Sequence, residues 1–226
     1  MLIVIPEVLP PADALALGRS IAGEAWVDGN ATSGAGAALV KRNRQLPEAS
    51  AAAREAQRIV HKALAGNALF LSAALPARIY PPLFNRYVVG DGFGAHVDNA
   101  IRVDPSTGVQ MRTDLSATLF LSDPDSYEGG DLIIESEFGR VCYKLPAGHM
   151  LLYPATSLHS VSPITKGERI SSFFWLQSIV RDGASREMLF DLDQSVQSLT
   201  LDRGGDDAEV LRLTRLYHNL VRRWGA

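Results

Sequence analysis

The sequence predicts an α+β protein that is mainly β, with short strands at its centre and helices on either side. Three observations carry this. From Ile79 to Val180, short runs of branched and aromatic residues are broken by Gly, Pro, Asp and Asn, the texture of a sandwich or barrel. Before it, the Ala-rich stretch from Pro47 to Ala65 places Ile59, Val60, Ala63 and Leu64 on one stripe, as an amphipathic helix requires. After Ile179, Met188, Leu189, Leu192, Val196 and Leu199, and then Val210, Leu213, Tyr217, Leu220 and Trp224, follow helical spacing. A chain of 226 residues suits one domain with an appendage. The expected division is a helical flank at 1–78, a β core at 79–180 and a helical extension at 181–226.

In order, Leu2–Ile5 reads as a short strand closed by Pro6, and Pro11 suits the first turn of a helix running to Ala22. Residues 27–38 are small, and their Gly34-Ala35-Gly36 lacks the third glycine of a dinucleotide loop. Lys41, Arg42 and Arg44 are expected as solvated charge, with a substrate-facing role the lesser option. His61 is expected as a surface or packed histidine. Gly66 is the natural end of the second helix. Strands are expected near 79–80, 83–89, 94–98, 115–121, 131–136, 140–145, 149–153, 157–161 and 169–180, with breaks at Gly90-Asp91-Gly92, Asp123-Pro124-Asp125, Phe138-Gly139, Pro146-Ala147-Gly148 and Lys166-Gly167. Asp202–Asp207, with Gly204-Gly205, is the turn between the last two helices. That tail either packs back on the barrel or makes a homo-oligomer interface.

The bulk composition excludes several classes. A net charge of −3 gives no basis for a nucleic-acid or anionic-membrane partner. The single cysteine, Cys142, excludes an intrachain disulfide and suits a reducing, cytoplasmic setting. Its run Val141-Cys142-Tyr143 predicts a buried, inert thiol. The apolar run Leu2–Ile5 is too short for a signal peptide or a membrane span.

The chemistry gathers around Phe84–Asp98, FNRYVVGDGFGAHVD. If its end is a strand, His96 and Asp98 share a face and Val97 turns away. Such a triplet is weak evidence alone, since chance supplies ~0.3 of them in this composition. Further along, His159 stands in the strand-like Thr156–Val161, and Arg169 opens the apolar run Ile170–Leu176 ten residues later. A guanidinium there needs an anion, because an unpaired buried charge is costly. A salt bridge to Glu168 or Asp131 would supply one; so would a substrate carboxylate held bidentately. Two histidines and one carboxylate form the facial triad of non-haem iron oxygenases. That triad leaves three adjacent positions on octahedral iron, two for a 2-oxo acid and one for O2. A four-ligand structural zinc site would leave none, and one cysteine argues against it.

These residues carry a resemblance. His96-x-Asp98, His159 and Arg169, with the phrases FNRYVVGDGFGAHVDNAIR, DLSATLFLSDPDSYEGGDL and LPAGHMLLYPATSLHSVSPITKGERISSFFWLQSIVRD and the helical tail, resemble the 2-oxoglutarate/Fe(II) dioxygenases of the prolyl-4-hydroxylase-like group, and more closely the bacterial PKHD-type hydroxylases. The resemblance covers essentially the whole chain. It implies a double-stranded β-helix (jelly-roll) core, Fe(II) held by His96, Asp98 and His159, and Arg169 on the distal carboxylate of the cosubstrate 2-oxoglutarate. It also implies L-ascorbate as the agent keeping iron ferrous, and a link to iron uptake.

Around these four, Tyr87 stands where related enzymes often place a tyrosine that bonds the cosubstrate; a plain barrel aromatic is the other reading. Ser116, Thr118 and Phe120 share a strand face, where a hydroxyl could meet the cosubstrate. Asn99, Arg102 and Arg112 flank the motif on a loop that either reads the substrate or is solvated. His149 is the rival third ligand, but the family spacing favours His159.

The leading expectation is a hydroxylase that couples decarboxylation of 2-oxoglutarate to succinate with hydroxylation of a small-molecule or peptidyl substrate. An aspartate at position 98 argues against a halogenase, and the acidic balance against a nucleic-acid demethylase. The alternative is a non-catalytic jelly-roll sensor of iron or 2-oxoglutarate.

Overall fold

The computed structural model describes residues 1–32, 39–105, 107–136 and 139–225; Gly34-Ala35-Gly36 and Phe138 lie outside them. Two antiparallel sheets face each other. The larger contains β1 (Ile3–Ile5), β2 (Val27–Asp28), β4 (Arg44–Gln45), β5 (Pro76–Ile79), β6 (Leu83–Tyr87), β10 (Leu115–Phe120), β13 (Met150–Pro154) and β15 (Arg169–Ser178). Its order is β1-β13-β10-β15-β6-β4-β2, with β5 pairing with β15 off that path. The smaller contains β3 (Lys41–Arg42), β7 (Gly92–His96), β11 (Leu132–Ser136), β12 (Gly139–Tyr143) and β14 (His159–Val161), in the order β12-β11-β14-β7-β3. A hairpin of β8 (Ile101–Val103) and β9 (Gln110–Arg112) forms a separate two-stranded sheet.

Alternation along the strands explains the layers. From β10, Leu115, Ala117 and Leu119 join the apolar core that the large sheet shares with the helices α1 (Pro11–Ala22), α2 (Ala51–Ala65) and α3 (Ala68–Ala74). Phe120 lies instead in a second core between the sheets, with Tyr87, Leu151 and Tyr153 from the large sheet and Leu132, Ile134 and Val161 from the small. The large sheet is therefore covered on both faces, which is why β10 is buried throughout.

The expected helices form with small adjustments. Helix α2 starts at Ala51 rather than at Pro47 because the Ser50 hydroxyl caps it, accepting from the Ala53 amide at 3.1 Å. Helix α3, absent from the sequence expectation, is capped by Asn67 and ends at Leu75 in the left-handed region. Seven residues are too few to show a helical period. The first 78 residues are also more than a helical flank, since β1 to β4 join the sheets and β5 crosses residue 78.

In the tail, α4 (Gly183–Arg203) and α5 (Ala208–Trp224) pack on each other and α4 packs on α3. Leu189 is buried there, and the Ser72 hydroxyl donates to Asp193. Among the described residues no helix is long and apolar enough to cross a membrane.

Cys142 contradicts its expectation: it is exposed. Strand β12 is the edge of the small sheet, and it lacks a covering layer. An apolar run therefore did not mean burial.

Candidate metal and cosubstrate site

The site lies in the mouth of the sandwich. His159 on β14 is the direct cross-strand partner of His96 on β7, so both imidazoles leave the same face of the small sheet. The strand ends at His96, and Asp98 reaches the site from the segment after it rather than from the strand itself, as the sequence reading had it. One ligand atom from each of His96, Asp98 and His159 lies within 4.8 Å of the others.

Each group is held for that role. Both Nδ1 atoms face backbone carbonyls, His96 that of Gly94 at 2.9 Å and His159 that of Ser157 at 3.0 Å. An Nδ1–H donating to each carbonyl leaves the Nε2 lone pair free for a cation. Burial, and then the neighbouring His159, push the His96 pKa down to about 4, so its imidazole is neutral at pH 7. Phe93 stacks on the His96 ring at 3.5 Å and Tyr153 meets the His159 ring edge-on at 5.2 Å. The Ser116 hydroxyl donates to Asp98 Oδ2 at 2.6 Å, which turns this hydroxyl from an expected cosubstrate contact into a holder of the carboxylate. Two imidazoles, each with its Nε2 turned to one side of a cavity, and an oriented carboxylate fit Fe(II). His149 belongs to neither this cluster nor the cavity wall.

Arg169 opens β15 opposite Tyr87 of β6, and its side chain is 1% exposed. Both carboxylates expected as its partners are engaged elsewhere. Glu168 pairs with Arg86, and Asp131 accepts from the Ser162 hydroxyl at 3.1 Å. Among the described residues no carboxylate forms an ion pair with Arg169. Its guanidinium carbon sits 5.4 Å from the Tyr87 ring and 5.0 Å from Phe120. Its Nε and the Tyr127 hydroxyl beside it are buried outside any hydrogen bond of normal geometry. Gly130 lets this packing close: at φ +68°, an added Cβ would lie 2.4 Å from Ile164 Cδ1 and 3.2 Å from Arg169 Cδ. Burial raises the pKa of Tyr87 and raises that of Tyr153 further, so both phenols are neutral hydrogen-bonding groups.

A cavity partly open to solvent joins the triad to Arg169. Tyr87, Thr118, Asn99 and Arg102 line it, while Arg112 does not and pairs with Asp114 at 2.6 Å. The Arg102 guanidinium carbon lies 3.5 Å from the Trp175 ring centroid. Lys41 and Asn43 also line the cavity, both buried, which corrects the expectation of solvated charge at Lys41. Lys41, Asn43 and Gln45 point inward while Arg42 and Arg44 are exposed. This is a strand's period of two, but written in polar residues, so a hydrophobic pattern cannot reveal it.

A profile of the 2OG-Fe(II) oxygenase superfamily matches residues 82–177, and one of the PKHD-type hydroxylase C-terminal domain matches 183–226. A PKHD-type hydroxylase of Burkholderia thailandensis is 58% identical over 225 residues, 99% of either chain. The chain belongs to the PKHD-type hydroxylases. It is thus an enzyme of the 2-oxoglutarate-dependent non-haem iron dioxygenase class.

Solved structures with the same fold include a prolyl hydroxylase of Trichoplax adhaerens, in complex with a hypoxia inducible factor peptide fragment. It has TM-score 0.55 and 14% identity, covering 77% of this chain and 82% of that one. HygX of Streptomyces hygroscopicus, with nickel, 2-oxoglutarate and hygromycin B bound, has TM-score 0.53 and 16% identity, covering 76% and 81%. At these identities the likeness of the two structures to this chain is one of fold.

Proposed function

We propose that His96, Asp98 and His159 hold Fe(II), that Arg169 binds the distal carboxylate of 2-oxoglutarate with Tyr87 beside it, and that this double-stranded β-helix couples decarboxylation of the cosubstrate to succinate with hydroxylation of a substrate. The observation that carries it is Arg169, a fully buried cation with no carboxylate partner among the described residues. A permanently unmatched guanidinium would cost several kcal/mol, and a dicarboxylate cosubstrate supplies the missing anion.

The bound iron supplies the centre at which the 2-oxo acid and O2 react. The chain's own residues do the rest. Arg169 fixes the far end of the cosubstrate, so its keto acid end is presented at the triad without searching orientations. Tyr87, neutral and buried, can donate a hydrogen bond to a carboxylate lying against Arg169. Phe93, Phe173 and Trp175 exclude bulk water from the mouth. The family resemblance supports L-ascorbate as the reductant and a place in iron supply. The peptide fragment and the hygromycin B bound by the fold relatives support a peptidyl or small-molecule substrate.

The test is anaerobic addition of Fe(II) and 2-oxoglutarate, read by the weak visible charge-transfer band, followed by succinate release in air. His96→Ala and Asp98→Ala should lose both signals with the fold retained, and His149→Ala should keep both. A band that never leads to succinate, with candidate substrates present, would overturn turnover in favour of a sensor.

A further inference from the structure

Residues 41–45 cross from one sheet to the other. Lys41 and Arg42 pair with Phe93 and Gly92 of the small sheet, while Arg44 and Gln45 pair with Arg86 and Asn85 of the large one. This strap closes one side of the cavity and sets two polar side chains into its wall. The Lys41 ammonium donates to the Gly29 carbonyl at 2.6 Å and to Gln45 Oε1 at 3.4 Å, and no carboxylate among the described residues pairs with it. Its ammonium lies over the Phe93 and Phe173 rings, 5.4 and 5.9 Å from their centroids. Asn43, beside the Tyr87 hydroxyl, is buried with both amide atoms outside any hydrogen bond of normal geometry.

Besides Arg169 and Arg102, the cavity therefore holds a buried ammonium that is in no ion pair, though near enough to Asp28 and Asp98 to feel their charge, and it is not placed to share the ligand of Arg169. Arg169 and Phe173 sit four residues apart on β15, about 13 Å along an extended strand. A five-carbon diacid whose distal carboxylate is on Arg169 points its other end at the triad, where the metal would take up that second carboxylate, which leaves the anion at Lys41 to another molecule. Resting on the reading that Arg169 and the triad take 2-oxoglutarate, we propose that the hydroxylated substrate is an organic anion whose carboxylate is received by Lys41. Asn43 supplies a donor and an acceptor beside it. Phe93, Phe173 and Trp175 form an apolar aromatic wall that fits an apolar body next to that carboxylate. Lys41 binds substrate in this scheme and takes no part in the chemical step.

The experiment uses pairs of probes equal in shape and different in charge: benzoate with benzamide, and phenylacetate with phenylacetamide. Binding to the full chain loaded anaerobically with Fe(II) and 2-oxoglutarate is measured by calorimetry. We expect at least one carboxylate to bind about tenfold or more tighter than its amide. Lys41→Met and Lys41→Gln should abolish that preference while leaving the 2-oxoglutarate requirement of the charge-transfer band unchanged. Equal binding within both pairs, no binding of either carboxylate, or a preference that survives both variants overturns the proposal. So does a raised 2-oxoglutarate requirement in both variants, which would put Lys41 on the cosubstrate. The band itself separates the two readings: its absence in the unsubstituted protein sinks both, whereas its presence without charge discrimination sinks only this one.

Discussion

Single residues carry the charges that define the cavity. Arg169 is expected to matter through affinity alone. Arg169→Leu should leave Fe(II) binding intact and raise the 2-oxoglutarate concentration for half-saturation by about 30-fold or more, since a buried charge-assisted pair is worth about 2–5 kcal/mol. Normal cosubstrate affinity in that variant would sink the assigned role. Lys41 makes a prediction about stability. Burial, and after it the charge of Arg102, lower its pKa to about 8 from 10.5. Between these values the unfolded chain binds the extra proton, so stability contributed at this site rises with pH there. Below about pH 8 both states are protonated and the folded state bears the whole cost of the buried charge. Lys41→Met in the metal-free protein should therefore raise stability by about 1–2 kcal/mol at pH 7, after losing two hydrogen bonds. The gain should shrink as pH rises through 8 to 10.5. Denaturant titrations at pH 7 and pH 10 check this, and a gain that grows with pH would contradict the sign.

Elements divide the work between packing and chemistry. Along β10, Leu119 faces the helices and Ser116 faces the triad. Leu119→Ala should cost about 2–4 kcal/mol of stability and leave the Fe(II) and 2-oxoglutarate affinities of the folded protein unchanged. Ser116→Ala should do the reverse, with stability nearly untouched and Fe(II) affinity lowered by about 10-fold or more, because the carboxylate loses its orienting donor. Equilibrium unfolding and metal titration on both variants separate the two. Much of this was legible in the strand sequence: Leu115, Ala117 and Leu119 alternate with Ser116 and Thr118, and the strand spacing anticipated the facing sheets. The strap at 41–45 was not legible, because its buried face is Lys, Asn and Gln. Neither was the β8–β9 hairpin, whose Ile101 and Val103 are exposed and leave no alternation to read. The exposure of Cys142 was missed for a related reason: residue type signals a preference for burial, while strand order decides whether a covering layer exists.

Across the whole molecule, the two sheets meet only partly in apolar contact, and the rest of the space between them is the cavity with its buried charges. Such a site is costly when empty, so ligand removal should be visible in global stability. Fe(II) with 2-oxoglutarate, each at 100 times its dissociation constant, should stabilise the fold by roughly 3 kcal/mol per bound ligand over the metal-free protein. Thermal unfolding before and after chelation measures this under anaerobic conditions, and an unchanged midpoint would show that the site binds neither.

The amino-acid order by itself determined the candidate site residues and their succession, His96, Asp98, His159 and then Arg169, because side-chain chemistry is local to the residue. It determined the helices at 11–22 and 183–224 for the same kind of reason, since caps and periodicity are short-range. Tertiary structure alone decided that His96 and His159 lie side by side, that Glu168 and Asp131 are engaged elsewhere and form no ion pair with Arg169, and that Lys41 looks inward. Each of these depends on strand register and on which face a sheet covers, and pairing between residues sixty or more positions apart leaves no trace in the local pattern.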